Sequence, residues 1–279
     1  MTKRQQLPLL LASACLTPGL SQLAAAQSGP TQTAGRTIQT LPNSKVVTAL
    51  GSTPGWFVCD SLSSPSVSVM GWPDARGLSR LTTYSKANAG QFVYRNYRVG
   101  EADVGAGQIH YPLTPSAPNA AGNDVPNNVA SFNVGALPSP EQALTPNIVS
   151  LTSTEAAGNC RWTLNTRLLG FDARRSFMIT ETPGGQLRYQ TFDFADAGRS
   201  RPVMTDETYQ SSMPSLSIVG GSRTLSNTQE TFVFQNAGYT YTVRVARQSR
   251  PAGASVTVSR GGQVVQTERL TGYTYAVRR

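Results

Sequence analysis

Ser176-Phe177-Met178-Ile179-Thr180-Glu181, then Thr182-Pro183-Gly184-Gly185, then Gln186-Leu187-Arg188-Tyr189-Gln190-Thr191-Phe192 reads as two strands joined by a turn. β-Branched and aromatic residues fill both flanks, as a pleated, half-buried surface favours. The Pro-Gly-Gly break supplies the fixed φ of proline and the positive φ of glycine that a tight reversal needs. Two later segments repeat this design. Phe232 to Gln235 and Tyr239 to Val245 flank Asn236-Ala237-Gly238, and Ser255 to Arg260 and Gln263 to Arg269 flank Gly261-Gly262. Helical periodicity is nearly absent, so the expected class is all-β: antiparallel hairpins in a sandwich-like arrangement. Helix is expected in under about a tenth of the chain, against the usual third.

The pattern also recurs on a longer scale. Asp74-Ala75-Arg76 matches Asp172-Ala173-Arg174, and Gly90-Gln91-Phe92-Val93-Tyr94 matches Gly185-Gln186-Leu187-Arg188-Tyr189. Upstream, Cys59 matches Cys160, and Val46 to Leu50 matches Ile148 to Thr152. A weaker third copy runs through Phe232-Val233-Phe234, Val256-Thr257-Val258 and Gly261-Gly262-Gln263, without the cysteine or the Asp-Ala-Arg. The competing reading is that glycine-rich hairpins resemble one another by composition. The expected order is a signal peptide at 1–26, a flexible leader at 27–43 and a first β unit at 44–111. A Pro-rich surface loop at 112–146 follows, then a second unit at 147–200, a connection at 201–229 and a basic third unit at 230–279.

The opening residues carry an export pattern. Lys3 and Arg4 precede a short apolar run at Leu7 to Leu11, and Ala24-Ala25-Ala26-Gln27 ends in small residues that a signal peptidase accepts. That run is too short for a bilayer core about 30 Å thick. Leu11-Ala12-Ser13-Ala14-Cys15 also loosely fits a lipid-attachment pattern, with Cys15 as the acylated residue. The leading expectation is soluble export to periplasm, cell surface or medium; the alternative is anchoring at Cys15.

Either way, Cys59 and Cys160 are left as a pair. Two cysteines in an exported chain, without metal-ligand spacing, predict a disulfide. Their matching places in two units predict that the units lie side by side about a local twofold, through equivalent strands. The bridge also decides how to read Pro112 to Pro146, where seven prolines would otherwise suggest a free linker.

Catalytic signals are sparse. There is no Gly-x-Ser-x-Gly elbow and no Ser-x-x-Lys. His110 is the only histidine, and zinc needs about four ligands. Asp193 with Asp196, and Asp206 with Glu207, are the acid pairs a glycoside hydrolase would use. Asp193-Phe194-Ala195-Asp196-Ala197-Gly198 lacks the further oxygen ligands of a calcium loop. Gly105-Ala106-Gly107 lacks the strand and helix of a dinucleotide site. No cofactor and no metal is expected.

The basic end is the one feature with direction. The formal net charge is +9, and loss of Lys3 and Arg4 lowers it to +7. From Arg244 onward the chain carries Arg244, Arg247, Arg250, Arg260, Arg269, Arg278 and Arg279 against one acid, Glu268. Tyr239, Tyr241, Val243 and Val245 share one strand face and are expected in the core; Thr240, Thr242 and Arg244 take the other. Tyr273 and Tyr275 share a face and are candidates for exposure near the terminus. Arg244, Arg247, Arg250, Arg260, Arg269, Tyr273 and Tyr275 therefore form a candidate polyanion site, set against the plainer reading of a solvated basic face. The expectation is a non-enzymatic, envelope-associated structural or binding protein. Its partners would be acidic envelope polymers or another envelope protein, with nucleic acid less favoured and no membrane span. The alternative is a carbohydrate-active protein, either a glycan-binding module or a carboxylate-dependent hydrolase.

Overall fold

Alternating burial marks a strand with one face in water, and its loss marks a strand covered on both sides. Both kinds occur here. The computed structural model describes residues 43–48, 51–60, 65–117, 127–133, 143–153, 157–160, 164–193, 203–204, 209–210, 214–247 and 253–277. The export segment, Cys15 and leader residues 27–42 lie outside these. Among the described residues every regular element is a strand and no helix occurs. All the ladders are antiparallel, so the all-β expectation holds.

The first hairpin, β1 (Asn43–Thr48) and β2 (Gly51–Gly55), parts from the strands that follow it. Those strands build an outer sheet. β3 (Phe57–Asp60), β4 (Ser66–Met70), β5 (Leu78–Ser85) and β6 (Phe92–Val99) meander outward. β7 (Asp103–Val104), β8 (Gln108–Pro115), β9 (Asn128–Phe132), β10 (Ile148–Thr152) and β11 (Ala157–Asn159) extend the sheet. Its path runs β11-β10-β9-β8-β6-β5-β4-β3 and curls until β3 meets β10 and β11. Phe57, Met70, Leu81, Tyr97, Tyr111 and Ile148, drawn from strands along this path, form one core inside the curl. The Cys59–Cys160 disulfide ties β3 to the residue just after β11, so it joins the two ends of one sheet. β9 lies within the stretch read as a Pro-rich surface loop. Val129 and Ala130 are buried there, and that short apolar run places a strand between β8 and β10.

The central sheet has the order β17-β14-β13-β12-β23-β1-β2. It uses β12 (Thr166–Phe171), β13 (Arg175–Glu181) and β14 (Leu187–Asp193), with β17 (Leu216–Val219) at one edge. β15 (Val203–Met204) and β16 (Tyr209–Gln210) pair separately. The last strand, β23 (Gly272–Val277), enters between β12 and β1. Every residue of β12 is buried. Leu169, Phe171, Met178 and Phe192 pack toward the outer sheet, with Val58, Val67 and Val69. Leu168, Phe177, Ile179 and Tyr189 pack the other way, against a third sheet. Burial pushes the Tyr189 hydroxyl above its ordinary range.

That third sheet is a plain meander: β18 (Ser222–Leu225), β19 (Gln229–Asn236), β20 (Tyr239–Ala246), β21 (Ala254–Arg260) and β22 (Gln263–Arg269). β17 and β18 both fall inside the expected connection, one joining the central sheet and the other opening the third. Three stacked sheets result, with the central one covered on both faces.

Downstream of the two cysteines, the matched segments keep the same element order. After Cys59 come β4, the Asp74 turn, β5 and β6; after Cys160 come β12, the Asp172 turn, β13 and β14. The Asp74 carboxylate accepts from Arg76 N–H and Leu78 N–H, at 2.8 and 2.9 Å. These two bonds hold its pKa below the ordinary carboxylate value. The Asp172 carboxylate accepts from Arg174 N–H and Arg175 N–H, at 2.7 and 2.9 Å. Their neighbours differ. β11 pairs with β10 in the outer sheet, whereas β12 pairs with β23 in the central one.

Candidate functional site

Five consecutive antiparallel strands, with one bulge between β21 and β22, convert alternation into rows. On the inner face of the third sheet, Phe232, Phe234, Val243, Val245 and Val256 enter the core shared with the central sheet. The outer face carries hydroxyls and arginine. One row crosses Thr224, Thr231, Arg244, Ser255 and Arg269. The next crosses Ser222, Val233, Thr242, Thr257 and Thr267. Arg244 and Arg269 flank Ser255, two strand spacings or roughly 10 Å apart at the backbone.

Charge is divided between the two faces. Glu230 and Glu268 are the only acids between residues 222 and 269, and both are buried on the inner face. Glu230 pairs with Arg223 and lies 3.8 Å from Arg167, whose guanidinium also bonds Glu181. Glu268 pairs with Arg174, accepts from Gln266 at 2.9 Å and lies 3.8 Å from Arg175. The inner acids are thus consumed by the central sheet and the margins of the third. Arg244 and Arg269 are exposed on the outer face and form no ion pair among the described residues.

The other candidates scatter. Arg260 sits over the Tyr239 ring at 5.3 Å, on the side opposite Arg244. Arg247 donates to the Ser226 carbonyl at 2.9 Å. Tyr273 corrects its expected exposure. It is 2 % exposed in the core, donating to the Ala246 carbonyl at 2.9 Å, because β23 is an interior strand rather than a free end. Nothing is described of the Tyr275 side chain, and Arg250, Arg278 and Arg279 lie outside the described residues.

The carboxylates considered for hydrolysis do not assemble among the described residues. Asp193 lies 2.9 Å from Arg175 Nε. His110 is half-buried opposite Ala130 and Asp103. Gly105 turns the chain between β7 and β8, donating to Gln108 O. Asp196, Asp206 and Glu207 lie outside the described residues. Among the described residues no group of three metal-ligating side chains occurs, and no helix is long and apolar enough to cross a membrane.

Sequence reasoning picked out the outward Thr240-Thr242-Arg244 series but missed its continuation through Ser255 and Thr257 to Thr267 and Arg269. Alternation in β21 carries part of the signal, but a bulge between Val258 and Ser259 shifts β22 by one residue, so the Gly261-Gly262 turn alone does not place Thr267 and Arg269 in these rows. The inward direction of Glu230 follows the alternation with Phe232 and Phe234, whereas that of Glu268 had no such local signal, since Arg174 and Arg175 lie far away in the chain. Comparison of the chain with protein families, curated proteins and solved structures finds no match.

Proposed function

We propose that the chain is an exported, envelope-associated binding protein that docks an acidic glycan on the outer face of its third sheet. The observation that carries this reading is the division of charge. Both acids of that sheet are neutralised on the inner face, while the outer face keeps two exposed arginines within rows of threonine and serine. A guanidinium binds a carboxylate bidentately, and neighbouring hydroxyls both donate to and accept from sugar hydroxyls. The export pattern of the first residues and the Cys59–Cys160 bond support a destination outside the reducing cytosol.

The test is titration of the mature chain with polygalacturonate, a carboxylated polysaccharide, and with neutral dextran as control. Binding to polygalacturonate is expected to weaken steeply as salt rises, because neutralised charges release counterions. Replacing Arg244 and Arg269 together with Gln is expected to lower affinity about tenfold or more and flatten the salt slope by about two. Equal binding of dextran, or no loss in the double variant, overturns the reading and leaves a solvated basic face.

A further inference from the structure

The most deeply buried ion pair among the described residues lies away from that face. Lys86 Nζ stands 2.7 Å from Asp60 Oδ1, with the two side chains 1 % and 0 % exposed. Asp60 ends β3, next to the bridged Cys59. Its cross-strand row continues through Val67 and Tyr84, which belong to the apolar layer between the outer and central sheets. Lys86 follows β5 directly, and its backbone N–H donates to Pro65 O at 2.9 Å. The amine is therefore held against the carboxyl from both sides of the β4–β5 ladder.

Two features set this pair apart from an ordinary salt bridge. Lys3, Lys45 and Lys86 are the only lysines among 24 Lys and Arg residues. Among the described residues the most deeply buried cation is a lysine, although a guanidinium makes the better buried ion-pair partner. What lysine offers instead is a primary amine. Burial penalises both charges while their pairing favours them; when a proton passes from ammonium to carboxylate, a neutral amine stands beside a neutral acid. The amine is then a nucleophile 2.7 Å from an oxygen of the carboxyl group whose Cγ is the electrophile.

We infer that Lys86 and Asp60 are the site of an intramolecular isopeptide bond. The Lys86 Nζ lone pair attacks Asp60 Cγ, the Nζ–Cγ bond forms, one Cγ–O bond breaks, and the oxygen leaves with two protons as water. No oxidant, reductant or external group takes part. The product is a neutral amide tying the end of β3 to the turn after β5. Together with Cys59–Cys160, it makes adjacent residues of one strand covalent anchors, one sensitive to reduction and one indifferent to it.

The experiment is an intact-mass measurement on the wild-type chain after full reduction, followed by a proteolytic peptide map. The expected mass is one water below that of the reduced chain. The map is expected to contain a branched peptide joining the Asp60 and Lys86 segments, with no tryptic cleavage after Lys86. Lys86→Arg is expected to restore the full mass. If that variant does not fold, the wild-type measurement alone decides. An unmodified mass, or a water loss without the branched peptide, overturns the inference.

Discussion

The central and third sheets are built from similar residues, yet they use their two faces in opposite ways. In the central sheet, β12 is buried along its whole length, and Leu168 and Leu169 serve two different cores. In the third sheet, Val243 and Val245 serve one core while Arg244 between them stays exposed. The difference teaches where a function has room to sit. A strand sandwiched between layers has spent both faces on packing, so a substitution there acts on stability. A covering strand has one face left over, so a substitution there acts on whatever that face meets.

The largest expected effect tests this division directly. Phe177 is fully buried on β13 and packs toward the third sheet. Phe177→Ala is expected to cost about 3–5 kcal/mol, the transfer term plus the cavity left behind. Thr242→Ala on the outer face should cost under about 1 kcal/mol, since only cross-strand contacts are lost. Urea unfolding of the two variants is the measurement. A Thr242→Ala loss as large as that of Phe177→Ala would mean that the outer face is packed rather than open.

The disulfide gives the next effect, and it brings in the outer sheet. Cys59 and Cys160 are 101 residues apart and join the two ends of that sheet. Replacing both with Ser is expected to remove about 2–4 kcal/mol by freeing the unfolded chain. Hydrogen exchange should locate the loss. Amides of β3 and β10 are expected to lose protection first, while those of β12, β13 and β14 keep theirs. Uniform loss across both sheets would show that the bridge supports the stacking of layers rather than closure of the curl.

What was legible in the sequence follows the same line between local and distant causes. Each hairpin read from alternating residues and a Gly-containing turn is present: β13–β14, β19–β20 and β21–β22. Turn chemistry and the two-residue period are local, so the sequence carries them. The cysteine pairing was legible because only one pair remained. The destination of β1 and β2 was not. Val46 and Val47 fit a strand in either sheet, and pairing with β23 is settled by the far end of the chain. For the same reason Tyr273 read as exposed. A terminal strand looks free until the sheet that encloses it is assembled. At the candidate site, Arg244 was legible through alternation, whereas its isolation from acid depended on Glu230 and Glu268 finding partners on the inner face.

The smallest effect sharpens the contrast within the third sheet itself, between its two tight loops. Gly261 and Gly262 join β21 to β22 with φ of 56° and 81°. Ala237 and Gly238 join β19 to β20 in the same way, with φ of 49° and 80°. The first position is left-handed in both loops, but only one of them has glycine there. An L-residue with a Cβ pays about 1–2 kcal/mol in that region, and Asn tolerates it better than Ala. Ala237→Asn creates the Asn-Gly pair favoured in two-residue hairpins. It is therefore expected to raise stability by up to about 1 kcal/mol, read as a shift in the urea midpoint without a change in slope. Gly261→Ala should move the midpoint the other way by a similar amount. Because both loops lie at hairpin ends, neither change should alter the response to polygalacturonate. A stability loss on Ala237→Asn would mean that the Ala237 methyl packs against something in the folded protein that outweighs its backbone strain.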